Sequence, residues 1–351
     1  MMEIEQHLWG MTPEGEAIVL YTMRNAQGAE VKLTNYGAAI VSIVVPDREG
    51  RMADVALGYK RPEGYFFDGA ASGKTVGRVA NRIACGRMTI EGEEYALEVN
   101  NGPNHLHGGT KNFANRVWES RVETNRVVMD LLSEDGDQGY PGELSVEAIF
   151  DFDDECSLEI TYLARTDRTT PVNLTNHVYF NLSGEASGPV LDHELRLNST
   201  QVLEMNERQI PTGRLLDVAG TPQDFTEFRP FRPGIDSEFN HIRDFRGYDH
   251  PFVIEGWKPG ILGEAGCLRD PHSGRQVEVL TSQPGVMIYT GNWLAGGCPE
   301  TKSGGRYADH AGVAIECQNH PDAVNRPEFP SPLLRPGELY CQKTVYRFGT
   351  Y

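Results

Sequence analysis

The stretch ELSVEAIFDFDDECSLEITYLAR, residues 143–165, decides the fold. Leu144, Val146, Ala148, Phe150 and Phe152 fall on every second residue, an acidic turn interrupts, and Leu158, Ile160, Tyr162 and Ala164 resume the alternation. A period of two is the signature of a strand with one face buried, and two such runs joined by turn residues predict an antiparallel pair. Similar runs occur at AEVKLTNYG (29–37), AAIVSIVVPD (38–47) and RVVMDLLSEDG (126–136), and SEDGDQGYPGE (133–143) reads as a hairpin-type connection. Helical signals are confined to single turns in YKRPEGYFFDG (59–69) and RPFRPGIDSEF (229–239). No window sustains helical periodicity over three turns. Strands that follow strands without intervening helices argue against a βαβ architecture and for an all-β protein, a large antiparallel sandwich or barrel.

The chain has 351 residues, 38 glycines and 21 prolines, spread throughout, with no linker or low-complexity block and no internal repeat. One domain, 1–351, is expected. With 50 acidic against 32 basic residues, net −18, the chain offers no surface for phosphate backbones or anionic lipid, so no nucleic-acid or membrane partner is expected. The N-terminus lacks the basic and apolar regions of a signal peptide, and no run approaches transmembrane length, which predicts a soluble, cytoplasmic protein. Six cysteines, Cys85, Cys156, Cys267, Cys298, Cys317 and Cys341, show neither CxxC pairing nor zinc spacing and read as buried free thiols.

Polar residues crowd where packing does not require them in five places. In TVGRVANRIACG (75–86), Asn81 and Arg82 offer adjacent donors suited to hydroxyl oxygens, or an Arg that simply pairs with a surface acid. In NNGPNHLHGG (100–109), His105 and His107 either contact a ligand or hydrogen-bond their own turn. In PVNLTNHVYFNLSG (171–184), Asn173, Asn176, His177, Tyr179 and Asn181 carry a burial cost that either a structural network or a hydroxyl-rich ligand meets. In RGYDHPFVI (246–254), Asp249 is a turn cap or a ligand contact. In GVAIECQNHPDAVN (312–325), Glu316 ends an apolar run; it is a desolvated general base, or a Glu emerging into solvent. Phosphate loops, strand–GxGxxG–helix units, HExxH and GxSxG are all missing from the sequence, so no cofactor and no metal is expected. Tyr289 and Trp293 in IYTGNWL (288–294) add aromatic surface. Together the inventory fits a neutral, polyhydroxylated ligand, a sugar.

GRVANRI, NNGPNHLHGG, NLTNHVYFNLSG, GYDHPFVI, QPGVMIYTGN and ECQNHPDAVNRPEFPSPLLRPGE, in that order, resemble the aldose 1-epimerase family. The resemblance implies a β-supersandwich and the interconversion of α and β anomers of a free aldose such as galactose or glucose. It makes His177 the general acid and Glu316 the general base. Asn81, Arg82, His107, Tyr179, Asp249 and Gln283 become hydroxyl-binding residues, and His105 becomes a turn residue without a chemical role. Met287 stands where the family often has glutamine, Trp293 where it often has phenylalanine, and AASGKTVGR replaces an aromatic-Gly lead, Ser72 and Lys74 included. These departures bear on which sugar fits. A glycosidase would use two carboxylates, Glu316 and Asp249, and a non-catalytic sugar-binding module would not need His177 and Glu316 together.

Overall fold

Leu144–Phe152 and Ser157–Thr166 pair antiparallel, Leu144 opposite Thr166 and Phe152 opposite Leu158. Leu144, Val146, Ala148, Phe150 and Phe152 are all buried, so the alternation in the sequence is the inner face of a sheet. The structure, a computed structural model, describes residues 3–296 and 299–351. Arg126–Ser133 joins the pair through the expected connection, which contains a 3-10 turn at Asp137–Gly139.

This ribbon is the start of a nine-stranded sheet. Its order is Glu119–Glu123, Arg126–Ser133, Leu144–Phe152, Ser157–Thr166, Tyr340–Thr350, Arg275–Thr281, Gly263–Arg269, Glu194–Leu197 and Arg229–Pro230. The C-terminal strand Tyr340–Thr350 inserts between Ser157–Thr166 and Arg275–Thr281 and is antiparallel to both. A six-stranded sheet runs Tyr179–Phe180, Val313–Gln318, Gly285–Tyr289, Asp249–Val253, Gln201–Met205 and Pro211–Asp217. The N-terminal five strands, Glu3–Met11 through Met52–Asp54, form a sheet in sequence order. Phe150, Ile160, Val279 and Tyr346 of the first sheet share one buried cluster with Ile288, Ile315 and Cys317 of the second and Ile43 and Val45 of the third. Phe180 meets Tyr346 and Phe348 edge to face at 5.1 and 6.0 Å, a bond between sheets worth about 0.5–1.5 kcal/mol per pair beyond area burial. The all-β sandwich read from the sequence is the fold.

α-Helix among the described residues is limited to Pro62–Phe66, Arg232–Ile235 and Asn240–Arg243; the first two fall in the two segments with helical signals. None is long and apolar enough to cross a membrane. Two expectations need correction. His105 is not a turn residue: with Leu106 it forms a short strand against Arg82–Ile83, fully buried. Burial is tolerated because both ring nitrogens are bonded, Nδ1 to the Glu98 carbonyl at 2.6 Å and Nε2 to the Tyr140 hydroxyl at 2.7 Å. The cysteines are free but not all buried: Cys156, Cys267 and Cys317 are, Cys85 and Cys341 are exposed, and Cys298 lies outside the described residues.

Segment 77–82 reaches the site through Arg78, a fully buried guanidinium. It donates to the carbonyls of Pro141 and Gly142, both at 2.9 Å, to Thr170 Oγ1 at 3.1 Å and to Ser133 Oγ at 2.7 Å. Arg78→Ala would leave several buried acceptors unpaired and open a cavity, and a loss of about 3 kcal/mol is expected in denaturant unfolding. A change under about 1 kcal/mol would contradict this anchoring role.

Candidate active site

Strand Val313–Gln318 is buried at every position, yet its period-two geometry divides it. Val313, Ile315 and Cys317 enter the main core. Glu316 therefore points the other way, together with Met287, its direct cross-strand neighbour. Tyr289, two residues further along Gly285–Tyr289, shares that face, and Asp249 lies directly opposite Tyr289. One face of the six-stranded sheet thus carries Glu316, Asp249 and Tyr289 into a cavity of about 330 Å³.

His177 enters from a neighbouring segment held by backbone bonds: its N–H donates to the Lys74 carbonyl and its carbonyl accepts from the Gly73 N–H, both at 2.9 Å. The ring lies 4.9 Å from that of Tyr179, and Nε2 stands 3.6 Å from Glu316 Oε1. That separation is too long for a hydrogen bond. His177 Nδ1 and Glu316 Oε2 have no partner among the described residues, although His177 is 5% and Glu316 2% exposed. Two buried ionisable groups with unspent hydrogen-bonding capacity are aimed at the same space.

Asn81 and His107 form the opposite wall as a reciprocal pair. Both adopt left-handed backbone, φ 62° and 53°. The His107 N–H donates to the Asn81 carbonyl at 3.0 Å, and the Asn81 N–H donates to His107 Nδ1 at 3.2 Å. The neutral His107 ring therefore carries its proton on Nε2. Non-glycine residues in this conformation mark strain held by surrounding structure. Gly108, at φ 86°, makes the approach possible, since a Cβ there would stand 2.0 Å from the Gly77 carbonyl oxygen. Arg82, also buried, donates from Nε to Asn101 Oδ1 at 3.1 Å. Asp249 accepts from Gln209 Nε2 at 2.8 Å.

Burial pushes the Glu316 carboxyl up to about 8; the charge of Asp249 adds to the rise, and Arg82 opposes it. Burial pulls the His177 imidazole down to about 4, against the attraction of Asp68 and Asp249. Asp249 is itself raised by burial, with Arg82, the Gln209 hydrogen bond and His177 opposing. Near neutral pH the resting cleft holds one proton on the His177–Glu316 pair, and it resides on the carboxyl.

Asn81, Arg82, His107, His177, Tyr179, Asp249 and Glu316 all line the cavity. Gln283 does not. It sits in a separate concavity with Trp257 and Asn319, where its Nε2 donates to the Leu174 carbonyl at 3.3 Å and the Tyr340 hydroxyl at 3.2 Å. It lies in the connection between Arg275–Thr281 and Gly285–Tyr289, outside both strands. Met287 is buried against the carboxylate strand, whereas Trp293 stands at the cavity mouth. Ser72 and Lys74 are buried in the wall behind residues 69–71: Asp68 accepts from the N–H groups of Ala70 at 2.9 Å and Ser72 at 2.6 Å, and Lys74 Nζ donates to the Tyr65 carbonyl at 2.7 Å. Asn101, inside the polar stretch 100–109 but not singled out there, and Gln209, which carries no local sequence signal, also line the cavity. Gln209 belongs to a turn whose relevance appears only when Asn104 Nδ2 bonds the Arg208 carbonyl at 2.9 Å and closes it onto residues 100–105.

Two buried titratable side chains facing one polar cleft on an all-β sandwich are the arrangement of an enzyme that acts on a polyhydroxylated ligand. The aldose 1-epimerase family model matches residues 19–347. Galactose mutarotase of Bos taurus is 42% identical over 353 residues, 99% of each chain, and aldose 1-epimerase of Escherichia coli K12 is 39% identical over 344 residues, 96% of this chain and 97% of its own. Among solved structures, an aldose epimerase homologue from C. elegans superposes with TM-score 0.85 at 31% identity, covering 93% of this chain and 97% of its own. Galactose 1-epimerase from Lactobacillus acidophilus has TM-score 0.85 at 27% identity, covering 100% and 99%. The chain belongs to the aldose 1-epimerase family, and its activity is that of a mutarotase, a carbohydrate isomerase.

The buried carboxyl has a stability cost with a definite sign. Above its ordinary value near 4.5 Glu316 ionises in the unfolded chain, while in the fold it keeps its proton up to about 8, so the protein loses stability as pH rises through that window. Glu316→Gln removes the loss and is expected to gain about 2–3 kcal/mol at pH 7, shrinking toward pH 4.5, in denaturant titrations at both pH values. A variant equally stable relative to wild type at the two pH values would contradict the buried, protonated carboxyl.

Proposed function

We propose that Glu316 and His177 are the pair that opens and recloses the pyranose ring, and that Asn81, Arg82, His107, Tyr179 and Asp249 hold the sugar hydroxyls. The supporting observation is the 3.6 Å separation of two buried, mutually unbonded titratable groups in one cleft. Ring opening moves the C1 hydroxyl proton to Glu316 and the His177 Nε2 proton to the ring oxygen. The working form is the carboxylate–imidazolium tautomer of the one-proton pair, reached from the resting form by moving the Glu316 proton to His177, and the step returns the pair to carboxylic acid and imidazole. Burial favours the neutral pair, so the cleft draws the reaction toward the open-chain aldehyde. Rotation about C1–C2 exposes the other carbonyl face, and the same transfers run backwards. The pair ends with the proton count it started with, so the catalytic cycle closes without a net exchange of protons.

His107 donates from Nε2, Arg82 donates from its remaining N–H groups, and Asp249 accepts, which matches hydroxyls that both give and receive hydrogen bonds. Galactose is proposed as substrate because relatives of 40–42% identity over 99% of the chain bear the name galactose mutarotase. The same proposal takes residues 1–351 as one domain, supported by a main core cluster that draws residues from Tyr21 to Phe348. A cytoplasmic setting is supported by five free cysteines among the described residues.

Polarimetry on freshly dissolved α-D-galactose tests the roles. Glu316→Gln and His177→Asn are each expected to lower kcat at least about 100-fold. Either variant at the wild-type rate would remove that residue from the chemistry.

A further inference from the structure

The resting pair keeps its proton on Glu316, yet the working form needs it on His177, and the segment from which His177 hangs holds a second buried ion pair. The Asp68 side chain has no exposed surface and that of Lys74 is 1% exposed; Lys74 Nζ stands 4.0 Å from Asp68 Oδ2. Asp68 accepts from the Tyr59 hydroxyl at 2.6 Å, the Ser72 N–H at 2.6 Å and the Ala70 N–H at 2.9 Å. These bonds close residues 68–72 into a loop whose members Gly69, Ala70 and Ala71 line the cavity. The Lys74 N–H donates to the Ala71 carbonyl at 3.0 Å, and Gly73 and Lys74 then bond both sides of the His177 backbone, each at 2.9 Å. Asn176 Nδ2 adds a bond to the Gly73 carbonyl at 2.8 Å. Residue 73 has to be glycine: at φ 71° a Cβ would stand 1.9 Å from the Ile40 carbonyl oxygen. A buried ion pair is a costly way to brace a loop, and neither Asp68 nor Lys74 lines the cavity.

Charge explains the placement. In the cleft His177 is joined by Glu316, Asp249, Arg82 and His107, whose ring lies 5.7 Å away, and by Tyr179 and Tyr289 at 4.9 and 6.3 Å; Asp68 and Lys74 stand in the wall behind residues 69–71. Burial and then the Asp249 charge raise the Glu316 carboxyl, and Asp249 also favours the His177 imidazolium against burial. Asp249 thus pulls on both members and largely cancels in the division of the proton between them. Asp68 favours the imidazolium, and the charges that move Glu316 are those of Asp249 and Arg82. We propose that Asp68 is a positioning residue for His177: it braces the loop from which His177 hangs and supplies the charge that draws the shared proton from Glu316 to the imidazole. Lys74 keeps that carboxylate buried, its own amine anchored on the Tyr65 carbonyl at 2.7 Å. The proposal rests on the reading of His177 and Glu316 as the catalytic pair.

Polarimetry on freshly dissolved α-D-galactose across pH tests it on wild type, Asp68→Asn and the double variant Asp68→Asn, Lys74→Met. Asn keeps the shape and one acceptor oxygen of Asp68, and the double variant removes both buried charges together, so that no amine is left without its counter-ion. In both variants the acid limb of kcat/KM should move to lower pH by about half a unit or more, because His177 loses a charge that favours its protonated form. The same loss thins the carboxylate–imidazolium tautomer, so kcat at pH 7 should fall about threefold or more while KM changes less than about twofold. An acid limb left in place, or moved to higher pH, in whichever variant folds would overturn the proposal; with a raised KM it would mark Asp68 as a structural brace of the cavity-lining loop alone. His177→Asn at the wild-type rate would overturn the catalytic pair and this proposal with it.

Discussion

A carboxylic acid in the middle of a strand buried on both faces is the constraint from which the site follows. Glu316 is only 2% exposed, with Met287 across the ladder and His177 Nε2 3.6 Å away. Coulomb energy at such depth is large, and the cheapest solution is to keep the group neutral. Asp249 nearby makes ionisation harder still, and Arg82 restores part of the balance. The site is therefore tuned by what surrounds the carboxyl rather than by any feature of the residue alone.

That environment is assembled from segments remote in sequence, and each is pinned by backbone bonds. His177 hangs between the amide of Gly73 and the carbonyl of Lys74. Asn81 and His107 lock each other in conformations neither would adopt freely, and Arg78 anchors the segment from behind. The glycines permit the close approach of these loops; the hydrogen bonds decide which approach is made. Rigidity matters here because proton transfer needs the donor and acceptor within a few tenths of an ångström of their working positions.

The fold was legible because its signal is local. Period-two runs such as residues 144–152 declare a buried face without reference to the rest of the chain, and the short helical turns announce themselves through Pro62 and Pro233. The site was legible where several polar residues sit within one motif, as with Asn81 and Arg82. It was not legible where a contact depends on how two turns meet: Gln209 and Asn101 become cavity residues only through the closure of their loops. His105 was misread because a histidine among Asn and Gly resembles a turn, while its two partners, the Glu98 carbonyl and the buried Tyr140 hydroxyl, lie outside that motif. Gln283 was misplaced because it lies in the connection between Arg275–Thr281 and Gly285–Tyr289, where no strand period fixes the direction of a side chain. Two residues on, the direction of a side chain is set by pairing, and Met287 rather than Gln283 is the neighbour of Glu316.

The central claim is that one proton, shared by a buried pair, does the work. The pH dependence of kcat/KM for galactose reads it directly. A pair active only with a single proton gives a bell whose acid limb lies near the His177 value of about 4 and whose alkaline limb lies near the Glu316 value of about 8. A profile with one ionisation at the ordinary imidazole value of about 6.5, flat on its alkaline side, would contradict it.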